Sequence, residues 1–151
     1  MMTKEDIINA QKEWSEGIIK MGKLSKNRSS LELFVSEFLD KLYDFDNQVL
    51  FKPTKAKKEP FRNNKELAIS YFIAGNNRKC IEDKGFALSK WSKITFNNSD
   101  IILSGEIGLA MGNYTFENND SKIKVEFSFG YKEVNGLIKI NLHHSSIPYQ
   151  S

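Results

Sequence analysis

Residues 123–146, IKVEFSFGYKEVNGLIKINLHHSS, decide the fold of this chain. Apolar and polar residues alternate from Ile123 to Tyr131, which is the period of a strand with one buried face. The dipeptide Asn135-Gly136 follows and is the strongest short-range signal for a tight β-hairpin. Alternation resumes over residues 137–142. The segment therefore predicts two antiparallel strands joined by a two-residue turn.

The chain upstream of this hairpin, from Gly85 onward, has the same strand-like character. We expect one strand over residues 86–96, a turn at residues 97–100 and a second, long strand over residues 101–116. Glycines inside the second strand predict bulges or bends where the sheet curves. Residues 117–121 predict a further turn, so the second half of the chain forms an antiparallel meander.

The first half of the chain is helical in pattern. Thr3 and Asp6 resemble a capping pair, and apolar residues then recur every three or four positions as far as Met21. A second helix is expected to begin near Ser29 or Ser30 and to carry one apolar stripe. Both stripes are rich in aromatic residues and are most simply faces of the core.

A short strand at residues 49–51 ends at Pro53, and a charged loop follows over residues 55–60. A third helix is expected from about Asn64 to Asn76. The order of elements predicts an α+β fold in one domain covering residues 1–151. The order is similar to that of the cone-shaped nuclear-transport-factor-2-like (NTF2-like) proteins, which wrap a strongly curved antiparallel sheet around N-terminal helices.

The composition excludes several classes of protein. Lys and Arg number 22 against 19 Asp and Glu, a net charge of +3 that is too balanced to indicate nucleic-acid binding. No apolar run is long enough to cross a bilayer, and the N-terminal residues fit no secretory signal. Cys80 is the single cysteine, so an internal disulfide is impossible. A cytoplasmic protein without membrane or nucleic-acid partners is expected.

The residues that carry chemistry cluster at the end of the last strand, in Leu142-His143-His144-Ser145-Ser146-Ile147-Pro148-Tyr149. If the alternation continues unbroken, His144 and Ser146 lie on the apolar face and point into the cone. His143 and Ser145 then point the other way. A bulge near the strand end would reverse this assignment. Taken alone, one histidine here would be a core residue with satisfied hydrogen bonds, but polar groups crowded onto an apolar strand need partners or a ligand.

Counting ligands argues against a zinc site made of histidines. Catalytic zinc usually takes three protein ligands, and this chain has two histidines, adjacent on a strand so that their side chains diverge. A mixed site with carboxylates stays open, although no motif supports it. No phosphate-binding glycine loop, dinucleotide fingerprint or Gly-x-Ser-x-Gly elbow is present. A hydrolase that uses Ser145 or Ser146 is disfavoured because neighbouring strand positions do not bring a histidine onto the next hydroxyl.

Several blocks in order along the chain resemble the iota-class carbonic anhydrases, a branch of the NTF2-like proteins related to the kinase-association-domain fold. The resemblance runs from about residue 45 to the C-terminus, and the N-terminal helices fit more loosely. The blocks are Val49–Ala56, Phe61-Arg62, Ser70–Phe72, Glu82–Ala87, Ala110–Tyr114, Phe129–Tyr131, His143–Ser146 and Pro148-Tyr149. A third histidine that the family often has before the pair is Leu142 here.

The resemblance implies the reversible hydration of carbon dioxide to bicarbonate without a metal or other cofactor. Matched block by block, the implied catalytic residues are Thr54, Tyr71, His144 and Ser146. The residues implied to line the substrate are His143, Ser145, Phe51 and Phe72. A homodimer or higher homo-oligomer is expected, because the outer face of such a sheet often pairs with another copy.

Two other functions stay open at this stage: a small-molecule-binding module without catalysis, and an oligomerisation module. Arg62 also has two interpretations. It could bind an anion near the cavity, or it could form an ion pair with Glu66 on the third helix. We do not count it among the catalytic residues.

Overall fold

The computed structural model describes residues 1–151. A single five-stranded sheet, four strands of which come from the second half of the chain, has its inner face covered by the helices. None of the helices is both long and apolar enough to cross a bilayer. The elements are α1 (Lys4–Lys23), α2 (Arg28–Leu42), β1 (Leu50–Lys52), α3 (Lys65–Ile73), a 3₁₀ turn (Phe86–Ser89), β2 (Lys93–Ser104), β3 (Ile107–Glu117), β4 (Lys122–Val134) and β5 (Leu137–Ser146).

The sheet has the order β1-β5-β4-β3-β2. Strands β2 to β5 form the predicted antiparallel meander, and Asn135 and Gly136, with φ of 51° and 80°, make the predicted turn between β4 and β5. The short strand β1 pairs parallel to β5, so the sheet is mixed and the prediction of a wholly antiparallel sheet is wrong at this edge. The predicted α+β fold is confirmed.

Helices α1 and α3 begin where the sequence predicts, and α2 begins at Arg28, one or two residues before the predicted start at Ser29 or Ser30. Thr3 and Asp6 form the predicted capping box at α1, while α2 and α3 begin after the N-caps Asn27 and Asn64. Helix α3 ends at Ile73, three residues before the predicted end. The guanidinium of Arg28, in the first turn of α2, donates to the carbonyls of Ile73 and Ala74, so α2 satisfies the free end of α3.

Two predictions between residues 86 and 104 are wrong. Residues 86–89 form a 3₁₀ turn that ends at Lys90, whose φ is 57°, and the strand begins only at Lys93. Residues 97–100 do not end that strand, because the polar run is absorbed as a bulge in which Ser99 has no partner on β3. The glycine opposite makes this possible, since a Cβ on Gly112 would lie 2.1 Å from the Asn97 carbonyl oxygen. The hairpin turn comes later, at Gly105.

A second bulge lies in β5 and sets the direction of the residues that follow it. Ile140 pairs with Tyr131 and Leu142 pairs with Gly130, so Asn141 is an extra residue on β5. An extra residue shifts the two-residue period by one, so every side chain beyond it changes face.

A buried ion pair fixes the loop between β1 and α3. The guanidinium of Arg62 is fully buried and donates to both carboxylate oxygens of Asp83, at 2.7 and 2.8 Å. It also donates to the Glu59 and Leu67 carbonyls, and the Arg62 backbone N–H donates to the Phe51 carbonyl on β1. Arg62 therefore ties the loop, the start of α3 and β1 together, and the suggested pairing of Arg62 with Glu66 is wrong.

We expect Asp83→Asn to lower the free energy of unfolding by about 3 kcal/mol, because it removes the carboxylate bonded twice to a buried guanidinium and leaves only Glu82, at 4.0 Å, as a counter-charge. Urea unfolding followed by circular dichroism measures this change. The matched control is Glu66→Gln, which breaks the exposed Glu66–Lys79 pair at 3.9 Å and should change stability by less than about 0.5 kcal/mol. Equal effects of the two substitutions would contradict the assigned role of the buried pair.

Candidate active site

His143 lies at the centre of the site. The bulge at Asn141 turns its imidazole inward, where it is 3% exposed. The ring is held between two phenylalanines: the centroid of Phe51 lies 4.7 Å away and that of Phe129 4.1 Å away, both nearly parallel to it. Burial between apolar rings lowers the pKa of His143 well below its ordinary value, and the neighbouring charge of His144 adds to the effect. His143 is therefore neutral near pH 7.

Both ring nitrogens of His143 have hydrogen-bond partners. Nδ1 lies 2.8 Å from the phenol oxygen of Tyr43, the residue directly after α2. Nε2 lies 3.0 Å from the Tyr114 phenol oxygen on β3 and 3.0 Å from Ser145 Oγ. The hydroxyls of Tyr114 and Ser145 also contact each other. The result is a buried triangle of one imidazole nitrogen and two hydroxyls.

Thr54 and Tyr71 extend this cluster from the opposite side. Thr54 follows β1 by two residues, and the backbone N–H of the next residue, Lys55, donates to the Tyr71 phenol oxygen at 3.2 Å. Burial raises the pKa of Tyr71 and of Tyr114, and the nearby Thr54 side chain acts in the opposite direction on both. Because both phenols stay protonated near neutral pH, they are hydrogen-bond donors in the site.

The predicted directions of His144 and Ser146 are wrong. Both residues lie on the outer face of the sheet, where they line a surface cavity of about 440 Å³ with Glu126 and Ser128. The bulge at Asn141 is the physical reason, since it exchanges the two faces of β5. The inner pair is His143 and Ser145, which the sequence had assigned to the opposite side.

Tyr71 packs against Phe51 with ring centroids 6.1 Å apart, and Lys55, the residue after Thr54, donates to its phenol oxygen. The catalytic roles of Thr54 and Tyr71 stay predictions. Phe51 contacts the imidazole directly, whereas Phe72 stacks on Phe51 with centroids 5.9 Å apart and so lies one ring further away. Sequence reasoning missed Tyr43 and Tyr114. Tyr114 carried a signal, because it is in one of the blocks that resemble the family and shares its strand face with the buried Ala110 and Phe116.

A solvent-facing cavity of about 370 Å³ reaches the cluster at Tyr71. Its other walls come from Lys55 and from residues 82–89. The backbone N–H groups of Glu59, Lys57 and Lys58 donate to the Glu82 carboxylate and lower the pKa of that carboxylate to about 2. A charged Glu82 thereby holds the segment that follows Thr54. No group of three or more His, Cys, Asp or Glu side chains lies close enough together to hold a metal ion.

The structural class of the protein follows from its fold. An NTF2-like protein of unknown function from Shewanella oneidensis MR-1 has a similar structure, with a TM-score of 0.62 and 16% identity over 96% of this chain and 99% of that one. The protein therefore has the NTF2-like fold that its element order predicted.

Sequence similarity also assigns the chain to one family within this fold. A model of the metal-independent carbonic anhydrases matches residues 5–147. A metal-independent carbonic anhydrase from Nostoc sp. (strain PCC 7120) is 32% identical, over 99% of this chain and 75% of that protein. The bicarbonate complex of an iota-carbonic anhydrase from a cyanobacterium has a TM-score of 0.93 and 29% identity, over 99% of this chain and 94% of that one. This chain belongs to the metal-independent carbonic anhydrase family, so the predicted family is confirmed.

The lowered pKa of His143 makes stability depend on pH. Below about pH 6.5 the histidine of the unfolded chain takes up a proton that the folded protein does not, so the free energy of unfolding falls as pH falls. Between about pH 6.5 and 5 the slope contributed by this residue should approach about 1.4 kcal/mol per pH unit.

Urea unfolding at a series of pH values measures this slope. His144→Gln, which changes the exposed histidine, should preserve the dependence, and His143→Gln should flatten it. A slope that disappears with His144→Gln and survives His143→Gln would contradict the burial of His143.

Proposed function

We propose that this protein catalyses the reversible hydration of carbon dioxide to bicarbonate. The observation that carries the proposal is a neutral, buried imidazole in a chain of this family, with the hydroxyls of Tyr114 and Ser145 each 3.0 Å from its Nε2. The ring of Tyr71 packs on Phe51, which covers one face of this imidazole. A relative of the same fold has been solved in complex with bicarbonate. Carbon dioxide and bicarbonate are thus the proposed substrate and product.

The two kinds of surface in the site suit the two reactants. Carbon dioxide is apolar, and the rings of Phe51 and Phe129 give an apolar wall on either side of the imidazole. Water and bicarbonate need hydrogen bonds, which the hydroxyls supply. Donors that are fixed in place stabilise the negative charge that develops on the oxygens as bicarbonate forms.

The reaction forms one bond and releases one proton. The oxygen of a bound water bonds to the carbon of carbon dioxide, and the oxygens of the substrate take up the negative charge as bicarbonate. The proton leaves through the hydrogen-bonded hydroxyls to solvent. Tyr71 lies between the cluster and the solvent-facing cavity, so we assign the entrance for substrate and the exit for product to this residue and Lys55.

The site residues assigned on this basis are Thr54, Tyr71, Tyr114, His143 and Ser145. They retain Thr54 and Tyr71 from the sequence and exchange His144 and Ser146 for their inward-facing neighbours. Phe51 keeps its predicted substrate-lining role, and that of Phe72 stays a prediction. We propose that no metal takes part, in line with the family and with a site built from neutral hydroxyls.

Stopped-flow hydration of carbon dioxide in the presence of a strong chelator tests both the activity and its independence of metal. We expect full activity with chelator. Ser145→Ala should lower kcat/KM by about 100-fold, because one donor to the developing charge is lost. The matched substitution on the outer face, Ser146→Ala, should change it by less than about threefold, since a surface side chain that touches no substrate contributes little.

Activity that chelator abolishes and zinc restores would overturn metal independence. A larger effect of Ser146→Ala than of Ser145→Ala would overturn the assignment of the inner pair. No hydration activity, together with tight binding of an organic ligand, would favour the binding-module alternative.

We further propose that the protein forms a homo-oligomer through the outer face of the sheet. Ile102 and Leu109 pair across β2 and β3 on this face, and Met111 lies beside them; all three are exposed. A contiguous exposed apolar surface is typical of an interaction site. The expected cytoplasmic location stays a prediction.

Leu109→Glu should shift the assembly to the monomer, because it places a charge in the centre of this apolar surface. Sedimentation equilibrium measures the mass of the particle. The control is Leu33→Glu, at a more exposed leucine on helix α2, which should leave the mass unchanged. A wild-type protein that sediments as a monomer would contradict the proposal.

A further inference from the structure

A buried tryptophan fixes the hydrogen bonding of Tyr43. The indole Nε1–H of Trp14, on α1, lies 3.0 Å from the Tyr43 phenol oxygen. Because indole nitrogen is a donor only, the phenol oxygen must be the acceptor in this contact. The hydrogen of the Tyr43 hydroxyl is therefore left to find another acceptor.

The remaining partner of Tyr43 is Nδ1 of His143, at 2.8 Å. Tyr43 is 1% exposed, so water does not offer an alternative acceptor. If Nδ1 carried a hydrogen, the Tyr43 oxygen would receive two donors and its own hydrogen would be buried without a partner. Buried polar hydrogens are rarely left in this state because the loss is large.

We propose that Trp14 and Tyr43 are positioning residues that hold His143 in the tautomer with its hydrogen on Nε2. The chain of hydrogen bonds runs in one direction, from the indole N–H to the phenol and from the phenol O–H to Nδ1. In a neutral imidazole the other nitrogen then carries the hydrogen. Nε2 is a donor toward Ser145 and Tyr114.

This tautomer determines which way the hydroxyls of the site point. Ser145 and Tyr114 have two hydroxyl hydrogens between them, and one of these lies in their mutual contact. The second cannot point to Nε2, because that nitrogen is already protonated. It points away from the imidazole and is left free to donate to a bound substrate. The opposite tautomer would draw this hydrogen to Nε2 and remove one donor from the site.

A protonated Nε2 also excludes a serine–histidine pair acting as nucleophile and base. Ser145 Oγ lies 3.0 Å from Nε2, which is hydrogen-bonding distance for such a pair, but the nitrogen has no free lone pair to accept the serine proton. His143 instead helps to build a site of donors that matches an anionic product. The tautomer stands on the geometry alone, and its bearing on catalysis rests on the proposed function.

Long-range ¹H–¹⁵N correlation spectra of uniformly ¹⁵N-labelled protein near pH 7 test the proposal directly. The chain has two histidines, so His144→Gln leaves His143 as the only imidazole and assigns its signals. We expect the Nε2–H pattern, with Nδ1 as the unprotonated nitrogen. An Nδ1–H pattern in the wild-type protein would overturn the proposal.

The substitution Tyr43→Phe removes the donor to Nδ1 with little change of shape. We expect the ¹⁵N shifts of His143 to move toward a mixture of both tautomers and kcat to fall about tenfold, the equivalent of one hydrogen bond. The control is Tyr131→Phe, which removes an equally buried phenol that stacks on Phe129 and is not bonded to His143. It should change neither the tautomer nor kcat.

The two readouts separate this inference from the proposed function. An Nε2–H pattern in a protein without hydration activity would contradict the proposed function and support the tautomer assignment. An active enzyme whose His143 pattern is the same in wild type and Tyr43→Phe would overturn the role of Tyr43. Because the first measurement needs only a surface substitution, a failure of Tyr43→Phe to fold does not remove the test.

Discussion

A neutral imidazole buried between two aromatic rings is the constraint around which this protein is organised. A polar ring in such a place needs a partner on each nitrogen, because water cannot reach it. Residues from four elements supply this network of hydrogen bonds. Tyr43 comes from the end of α2, Trp14 from α1, Tyr114 from β3, and Ser145 from the same strand as His143. The helices and the sheet meet where these hydrogen bonds are made.

The same constraint separates the two edges of the imidazole. The Nδ1 edge faces a closed set of hydrogen bonds inside the core, through Tyr43. The Nε2 edge faces Ser145 and Tyr114. One side of the ring is therefore closed within the core, and the other meets the residues to which we assign the reaction. The aromatic walls keep the dielectric low, which strengthens each of these contacts.

Much of this arrangement could be read from the sequence, because it follows from local patterns. Thr3 with Asp6 predicted where α1 begins, and Asn135-Gly136 predicted the hairpin. The family blocks also supplied Thr54 and Tyr71, whose catalytic roles stay predictions. What failed was the parity of β5. A bulge needs one extra residue and no special residue type, so Asn141 gave no signal, and a single shift reversed four side chains.

Contacts between residues far apart along the chain could not be predicted from the sequence either. Arg62 was considered against Glu66, its neighbour along the chain, whereas its partner Asp83 lies 21 residues further on and meets it only in the folded protein. Tyr43 was likewise out of reach, because its contact with His143 joins residues 100 positions apart. The run at residues 97–100 has the composition of a turn, and only the glycine opposite lets the strand continue through it.

The short length of β1 affects how easily the site opens locally. Its ladder to β5 has three residue pairs, whereas the other strands of the sheet pair over nine or more. The segment that carries Phe51 and Thr54 is therefore held by the packing of Phe51, the Arg62–Asp83 ion pair and the Glu82 carboxylate more than by sheet hydrogen bonds. Segments with few backbone hydrogen bonds open locally at a lower free energy than global unfolding. Amide hydrogens in this segment should exchange with solvent well before those of β3 and β4. The β1 side of the site can therefore open while the rest of the sheet stays folded.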